Sequence, residues 1–377
     1  MRGLFSEHGF MEIETPLLEY FSTVDDKIYG FGEENVWKTF DRRGRVLAIR
    51  PDSTIPAVRV AASRLLQSKL PLRLCYMQTV MGYPQEKGAA LCESTQAGVE
   101  LMGESNPMAD AEVIALAIES LERAGLREFQ IDLGQVAFFK GFMEEAGLDA
   151  EQADAFRTLV EEKNSLAMAL FLEKNKVPKA VSQRIMALPT LYGDESALDE
   201  ALAITNNAAC REAVDNLRQI LDMLDVYEYK KYISIDLGMV HAVNYYSGLI
   251  FRGITGHVGQ PILSGGRYDA LPALYGRDMP ATGFGLSLKL LMTALYRQGE
   301  EMKSPVPDCV IGVTRETLKD ALTIARRLRN AGDTTVLKYT DDREPLADMV
   351  RCGEVRRALV IAQGRECCFE EADTQWR

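Results

Sequence analysis

Two runs of alternating side chains, "LRLCYMQTVMGY" and "STQAGVELMG", stand on either side of the short polar stretch "PQEKGAALCE". Alternation at period two marks both runs as strands, separated by that polar loop. Further strands are read at "RVLAIR", "REFQIDLGQV", "YISIDLG", "YYSGLIFRGI" and "PILSGG". Between them lie the helices "PDSTIPAVRVAASRLLQ", capped by Asp52, Ser53 or Thr54, and "PMADAEVIALAIESLERAG", closed by Gly125. "GFGLSLKLLMTALYRQ" reads as one more helix. Strands running hairpin to hairpin, flanked by helices, predict an α+β fold around a largely antiparallel sheet.

From about 142 to 226 the pattern is almost wholly helical and reads as an insertion without chemistry of its own. "GEEMKSPVPD" is the best linker, which divides the chain into a core domain over 1–300 and a C-terminal domain over 301–377. The latter alternates strand and helix, so a small α/β unit with a parallel sheet is expected. Its final stretch, "CCFEEADTQWR", offers no closing element.

The seven cysteines are scattered without a C-x-x-C pair, which suits reduced thiols. Only three histidines are present, none in a metal-ligand spacing, so neither metal nor cofactor is expected. A net charge of -12 disfavours nonspecific nucleic-acid binding. With no apolar run of membrane-spanning length and no signal-like N-terminus, the expected location is the cytoplasm.

The stretch "LSGGRYDALPALYG" raises the question of chemistry. A glycine pair lets backbone approach a ligand, and Arg267, Tyr268 and Asp269 could grip something polar; equally, this is a strand-to-helix turn whose arginine and aspartate pair with each other. Together with "RPDST", "NYYSGLIF" and "PATGFGLSL", it resembles histidyl-tRNA synthetases and their catalytically silent relatives, the regulatory subunits of ATP phosphoribosyltransferase. The resemblance runs from about Phe10 to Tyr296 and implies the class II aminoacyl-tRNA synthetase-like antiparallel core.

Within that group, charge separates enzyme from silent relative. Adenylation builds negative charge on a phosphate and needs arginines to meet it. Where the synthetases carry a Phe-Arg-x-Glu stretch, this chain has Met81, Gly82, Tyr83 and Pro84, and Lys87 is the sole cation between Leu74 and Gly103. His241 and Leu290, beside Lys289, stand at two more arginine positions. Loss of one preorganised donor commonly costs about 3 to 4 kcal/mol of transition-state stabilisation, so no catalytic residue is expected.

Positions that match the family's histidine contacts are better kept: Asp52, Thr54, Gln96, Glu100, Tyr245, Tyr246 and Arg267. An amino acid's ammonium needs a carboxylate, and an imidazole needs an aromatic wall and polar partners. Each position has a plainer reading. Asp52 and Thr54 can be helix caps, and Gln96 and Glu100 can point to solvent from a half-buried strand. Tyr245 and Tyr246 would face opposite sides of a strand, so that only one lines a pocket. His241 can be a core histidine. The resemblance implies a non-catalytic subunit that binds L-histidine and partners a short-form ATP phosphoribosyltransferase catalytic subunit, as a homodimer within a hetero-oligomer, without tRNA. It would activate that partner in the first step of histidine biosynthesis and mediate feedback inhibition. The alternative is an active histidine-tRNA ligase with an atypical ATP site.

Overall fold

The computed structural model describes residues 1–23, 36–82, 93–240, 245–300, 306–340, 342–362 and 365–370. The chain divides into two compact units, Met1–Glu300 and Glu301–Arg377.

The strands of the first unit are β1 (Met11–Glu12), β2 (Leu18–Tyr20), β3 (Lys38–Phe40), β4 (Val46–Ile49), β5 (Leu72–Met81), β6 (Glu93–Met102), β7 (Gln130–Gln135), β8 (Tyr192–Gly193), β9 (Ile233–Asp236), β10 (Leu249–Thr255), β11 (Val258–Arg267) and β12 (Ala281–Ser287). Its helices are α1 (Arg2–Glu7), α2 (Thr54–Ser63), α3 (Pro107–Arg123), α4 (Val136–Glu145), α5 (Ala150–Glu161), α6 (Ser165–Lys174), α7 (Lys179–Ile185), α8 (Ser196–Ile204), α9 (Ala208–Val226), α10 (Ala270–Leu274) and α11 (Leu288–Gln298). Among the described residues nine strands form one sheet in the order β1-β5-β6-β12-β11-β10-β7-β9-β8, while β2, β4 and β3 form a second. Every pairing from β5 across to β7 is antiparallel; β1 and β9 join in parallel.

The pleat gives the large sheet two unlike faces. Ala97, Val99, Leu101, Phe284 and Leu286 pack in one core with α3, where Val113, Ile114, Ala117, Ile118 and Leu121 are buried. That helix starts where Asn106 accepts a hydrogen bond from the Ala109 N–H, with Pro107 in its first turn, and stops at Gly125 with φ +91°. Leu74, Met102 and Ile250 face the other way, into a core with Ile55, Val58 and Ala61 of α2.

The insertion is helical but not wholly so: Tyr192 and Gly193 pair with β9, extending the large sheet. Phe138, Phe142, Phe156, Leu172, Leu217 and Leu224 join the α3-side core. Fully burying each such side chain favours folding by about 1.5 to 3 kcal/mol. Residues read as the start of a helix, Gly283 to Ser287, are instead strand β12, and α11 begins only at Leu288, where the Ser287 hydroxyl caps the Leu290 N–H.

The second unit has strands β13 (Cys309–Val313), β14 (Thr335–Tyr339), β15 (Arg357–Ala362) and β16 (Arg365–Glu370), with helices α12 (Leu318–Asn330) and α13 (Glu344–Arg351). Three strands run in parallel as expected. The run holding Cys367 and Cys368 is β16, an antiparallel edge strand on β15 and the closing element that the sequence pattern did not offer. Its Phe369 packs with Val310, Leu346, Val350 and Ala358.

Candidate functional site

On the α2 side, the floor of the sheet is cleared by glycines. Gly283 stands opposite Glu100 and Gly285 opposite Gly98, which itself faces Tyr76. A Cβ on Gly283 would lie 2.0 Å from Glu100 Oε2, one on Gly285 2.4 Å from Gln96 Nε2, and one on Gly98 2.6 Å from the Tyr76 hydroxyl. Each glycine therefore yields its place to a polar side chain on a neighbouring strand. Gly265 and Gly266, read from sequence as a turn, lie inside β11 for a related reason: a Cβ on Gly266 would meet the Tyr246 ring at 2.9 Å. The turn comes after Arg267.

Glu100 is fully buried, which overturns the solvent-facing reading of β6. Its Oε1 accepts a hydrogen bond from the Tyr76 hydroxyl at 3.1 Å, and its Oε2 one from the Tyr268 hydroxyl. Burial pushes its carboxyl up to about 8, against the pull of hydrogen bonds from Tyr268, Thr54 and Tyr76. Asp52 Oδ1 caps α2 by accepting from the Ile55 N–H at 3.1 Å. The cap reading thus accounts for one oxygen only. Asp52 Oδ2 and Ser53 Oγ are buried with no hydrogen-bond partner among the described residues. Burial raises the Asp52 carboxyl to about 6, and backbone hydrogen bonds from Ile55 and Thr54 restrain the rise. The Ser53 N–H donates to Gln96 Oε1 at 2.9 Å, and the Thr54 hydroxyl lies 3.4 Å from that of Tyr76.

Tyr245 and Tyr246 precede β10 rather than alternating along it, so both rings turn toward the same cluster. Their centroids are 4.9 Å apart, and Tyr245 meets Tyr268 edge-on at 5.8 Å. The expectation that only one could serve the pocket is corrected on that ground.

Arg267 does not join them. It shares its side of the sheet with Thr282 and Leu101, opposite to Glu100. There its Nε donates to Asp110 Oδ2 at 3.0 Å, and its Nη1 to Asp269 Oδ1 at 3.0 Å and to the Glu104 carbonyl at 3.1 Å. The plain reading of an Arg267–Asp269 pair holds, with Asp110 as a further partner.

Two acidic groups, an amide and a wall of tyrosines suit a small cationic or imidazole-bearing ligand. Among the described residues no cluster of three metal-ligating side chains occurs, and no helix is long and apolar enough to cross a membrane. Gly82 pairs with Val36 at the end of β5, and Leu290 packs partly buried against the α3-side core. His241, Tyr83, Pro84 and Lys87 lie outside the described residues. One cavity of 860 Å³ is lined by the ion pairs Arg218–Asp199 and Lys230–Glu195, and one of 530 Å³ between α4 and α5 reaches Tyr246.

Tyr76, Ser53 and Tyr268 belong to the site but were not among its sequence-derived residues. Tyr268 sits inside the very stretch that raised the question. Tyr76 could have been found from parity, since it falls in step with Leu72 and Leu74 along β5.

The family description of histidyl-tRNA synthetase matches residues 1–291. A relative in Acetivibrio thermocellus named ATP phosphoribosyltransferase regulatory subunit is 42% identical over 88% of this chain and 79% of its own. One of the same name in Clostridium novyi is 38% identical over 96% and 86%. A solved Bacillus halodurans structure, described as an ATP phosphoribosyltransferase regulatory subunit/histidyl-tRNA synthetase, superposes with a TM-score of 0.79 at 31% identity, covering 95% of this chain and 91% of that one. Histidyl-tRNA synthetase from Nostoc superposes equally well, at 0.79, over 100% and 90% at 19% identity, a likeness of fold.

Proposed function

The chain belongs to the histidyl-tRNA synthetase-like family of ATP phosphoribosyltransferase regulatory subunits, and from that premise we propose that it binds free L-histidine between Asp52 and Glu100 and relays its presence to a short-form catalytic subunit. One observation supports this reading: Asp52 Oδ2 and Ser53 Oγ, on consecutive residues, are buried and have no hydrogen-bond partner among the described residues, and Glu100 is fully buried as well. Such groups are costly unless something fills them. The ligand's ammonium is assigned to Asp52, and its imidazole to Glu100, Gln96 and the wall formed by Tyr245 and Tyr246. Thr54 holds Tyr76 and Glu100 in place. Glu100, with its carboxyl raised to about 8, is protonated at neutral pH and can donate to a ring nitrogen.

Histidine would then bias the assembly of a homodimer with its catalytic partner, activating it when absent and restraining it when bound, through a coupling of about 1 to 3 kcal/mol. No tRNA takes part in this reading, and the setting is the cytoplasm. The test has two arms. Histidine at a hundredfold its dissociation constant should stabilise the chain by about 2.7 kcal/mol, read as a rise in melting temperature. Mixed with a short-form catalytic subunit of the same organism, the chain should co-elute with it and raise its turnover. A melting temperature unmoved by millimolar histidine, in the chain and in the mixture alike, removes the ligand assignment; separate elution removes the partner.

A further inference from the structure

Consecutive residues at the end of β11 reach opposite faces of the sheet. Arg267 turns toward α3 and clamps Asp110; Tyr268 turns toward α2 and donates to Glu100. We propose that Arg267 is a positioning residue for the ligand site, fixing Tyr268 against Glu100 from the far side of the sheet and tying the first turn of α3 to the pocket. The inference rests on the reading that the ligand binds at Glu100.

The clamp is buried, with Arg267 Nη2 and Asp110 Oδ1 left without a hydrogen-bond partner among the described residues. Arg267 and Asp110 are 7% and 1% exposed, and two further bonds reach Asp269 and the Glu104 carbonyl. Asp269 in turn accepts from the Ala281 N–H at 2.9 Å, while its own N–H donates to the Ser247 hydroxyl at 3.0 Å. The Ser247 N–H donates to the Arg267 carbonyl at 2.8 Å, and the Tyr268 N–H to the Ala281 carbonyl at 2.8 Å. Tyr268 is thus gripped through the residue on either side of it, and Ser247 brings the backbone next to Tyr246 into the same knot. A tyrosine has only two side-chain torsions, so a held backbone leaves the hydroxyl few positions, and burial with the bond to Glu100 selects one of them. A planar guanidinium fork holds Asp110, Asp269 and a carbonyl in one fixed geometry, which the compact three-donor ammonium of a lysine on its flexible stem does not reproduce.

The experiment is a thermodynamic cycle read by histidine titration calorimetry on the full chain. Arg267→Lys and Tyr268→Phe are each expected to weaken histidine about tenfold, and the double variant to bind no worse than Tyr268→Phe alone, because Arg267 acts through Tyr268. Losses that multiply in the double variant, or an Arg267→Lys chain with unchanged affinity, overturn the proposal. Should Arg267→Lys not fold, Ser247→Ala loosens the same knot and enters the same cycle. A ligand-independent readout separates this from the histidine assignment. The buried Tyr268 hydroxyl proton, identified in proton NMR by its loss in Tyr268→Phe, should shift or exchange away in Arg267→Lys. An unmoved resonance refutes the positioning role even where wild type binds no histidine, whereas a moved one keeps it while the ligand assignment fails.

Discussion

Replacing Glu100 by glutamine keeps the shape of the side chain and removes its titration. Burial holds the Glu100 carboxyl at about 8 in the folded chain, whereas an unfolded chain releases that proton near 4.3. Between these values the folded state binds a proton that the unfolded state has lost. The associated stability is fully present below about pH 4.3 and is lost as pH rises through about 8. The slope is about 1.4 kcal/mol per unit, or roughly 4 kcal/mol between pH 5 and pH 8. Asp52, raised to about 6, acts in the same direction, but it is common to both proteins and largely cancels in their difference. Urea denaturation of wild type and Glu100→Gln across that pH range should therefore show the variant gaining on wild type as pH rises. A difference that stays flat, or that favours wild type at high pH, would mean that the Tyr76 and Tyr268 hydroxyls keep Glu100 ionised, and the burial argument would be wrong.

Two shorter predictions concern the floor and the chemistry. Gly283→Ala should destabilise the chain by about 3 kcal/mol or more, because its Cβ meets both Glu100 Oε2 at 2.0 Å and the Val99 carbonyl at 2.4 Å; Gly259→Ala, with nothing within 4 Å, is the control, and equal melting temperatures would refute the steric account. With ATP and histidine the chain should exchange no pyrophosphate, since Gly82, His241 and Leu290 stand where the resemblance to the synthetases would place arginines; exchange at a synthetase-like rate would restore the ligase reading.

Much of the sheet was legible because alternation is a local property. Gln96 and Glu100, four apart on one strand, were identifiable as a same-face pair, but not the face. Ala97, Val99 and Leu101 advertise a covered side, whereas the cover over Glu100 is α2, a segment whose arrival there is a tertiary event. The glycines misled for the same reason. Gly265 and Gly266 signal a turn when read along the chain, while the demand for their bareness comes from Phe251, Tyr246 and other groups on neighbouring segments. Gly283 and Gly285 blurred β12 into the helix that follows. Tyr245 and Tyr246 were drawn into a strand by the apolar run after them, which begins its pairing only at Leu249. Arg267 carried the right chemistry, but its side of the sheet depends on a register that the sequence does not state.

That register has a consequence for how the chain assembles. Along β12, small and large side chains alternate as Thr282, Gly283, Phe284, Gly285, Leu286, and the strand lies between β6 and β11 at the middle of the sheet. A slip of one residue against β6 would set Thr282 or Phe284 opposite Glu100, where not even a methyl group fits, and would turn bare glycine toward the α3 core. The misaligned hairpin is penalised twice, by collision on one side and by a void on the other. The bulk that fills the α2 side of the sheet therefore also disfavours a misaligned strand during folding, so that the glycines which make room for Glu100 and Gln96 also hold the register.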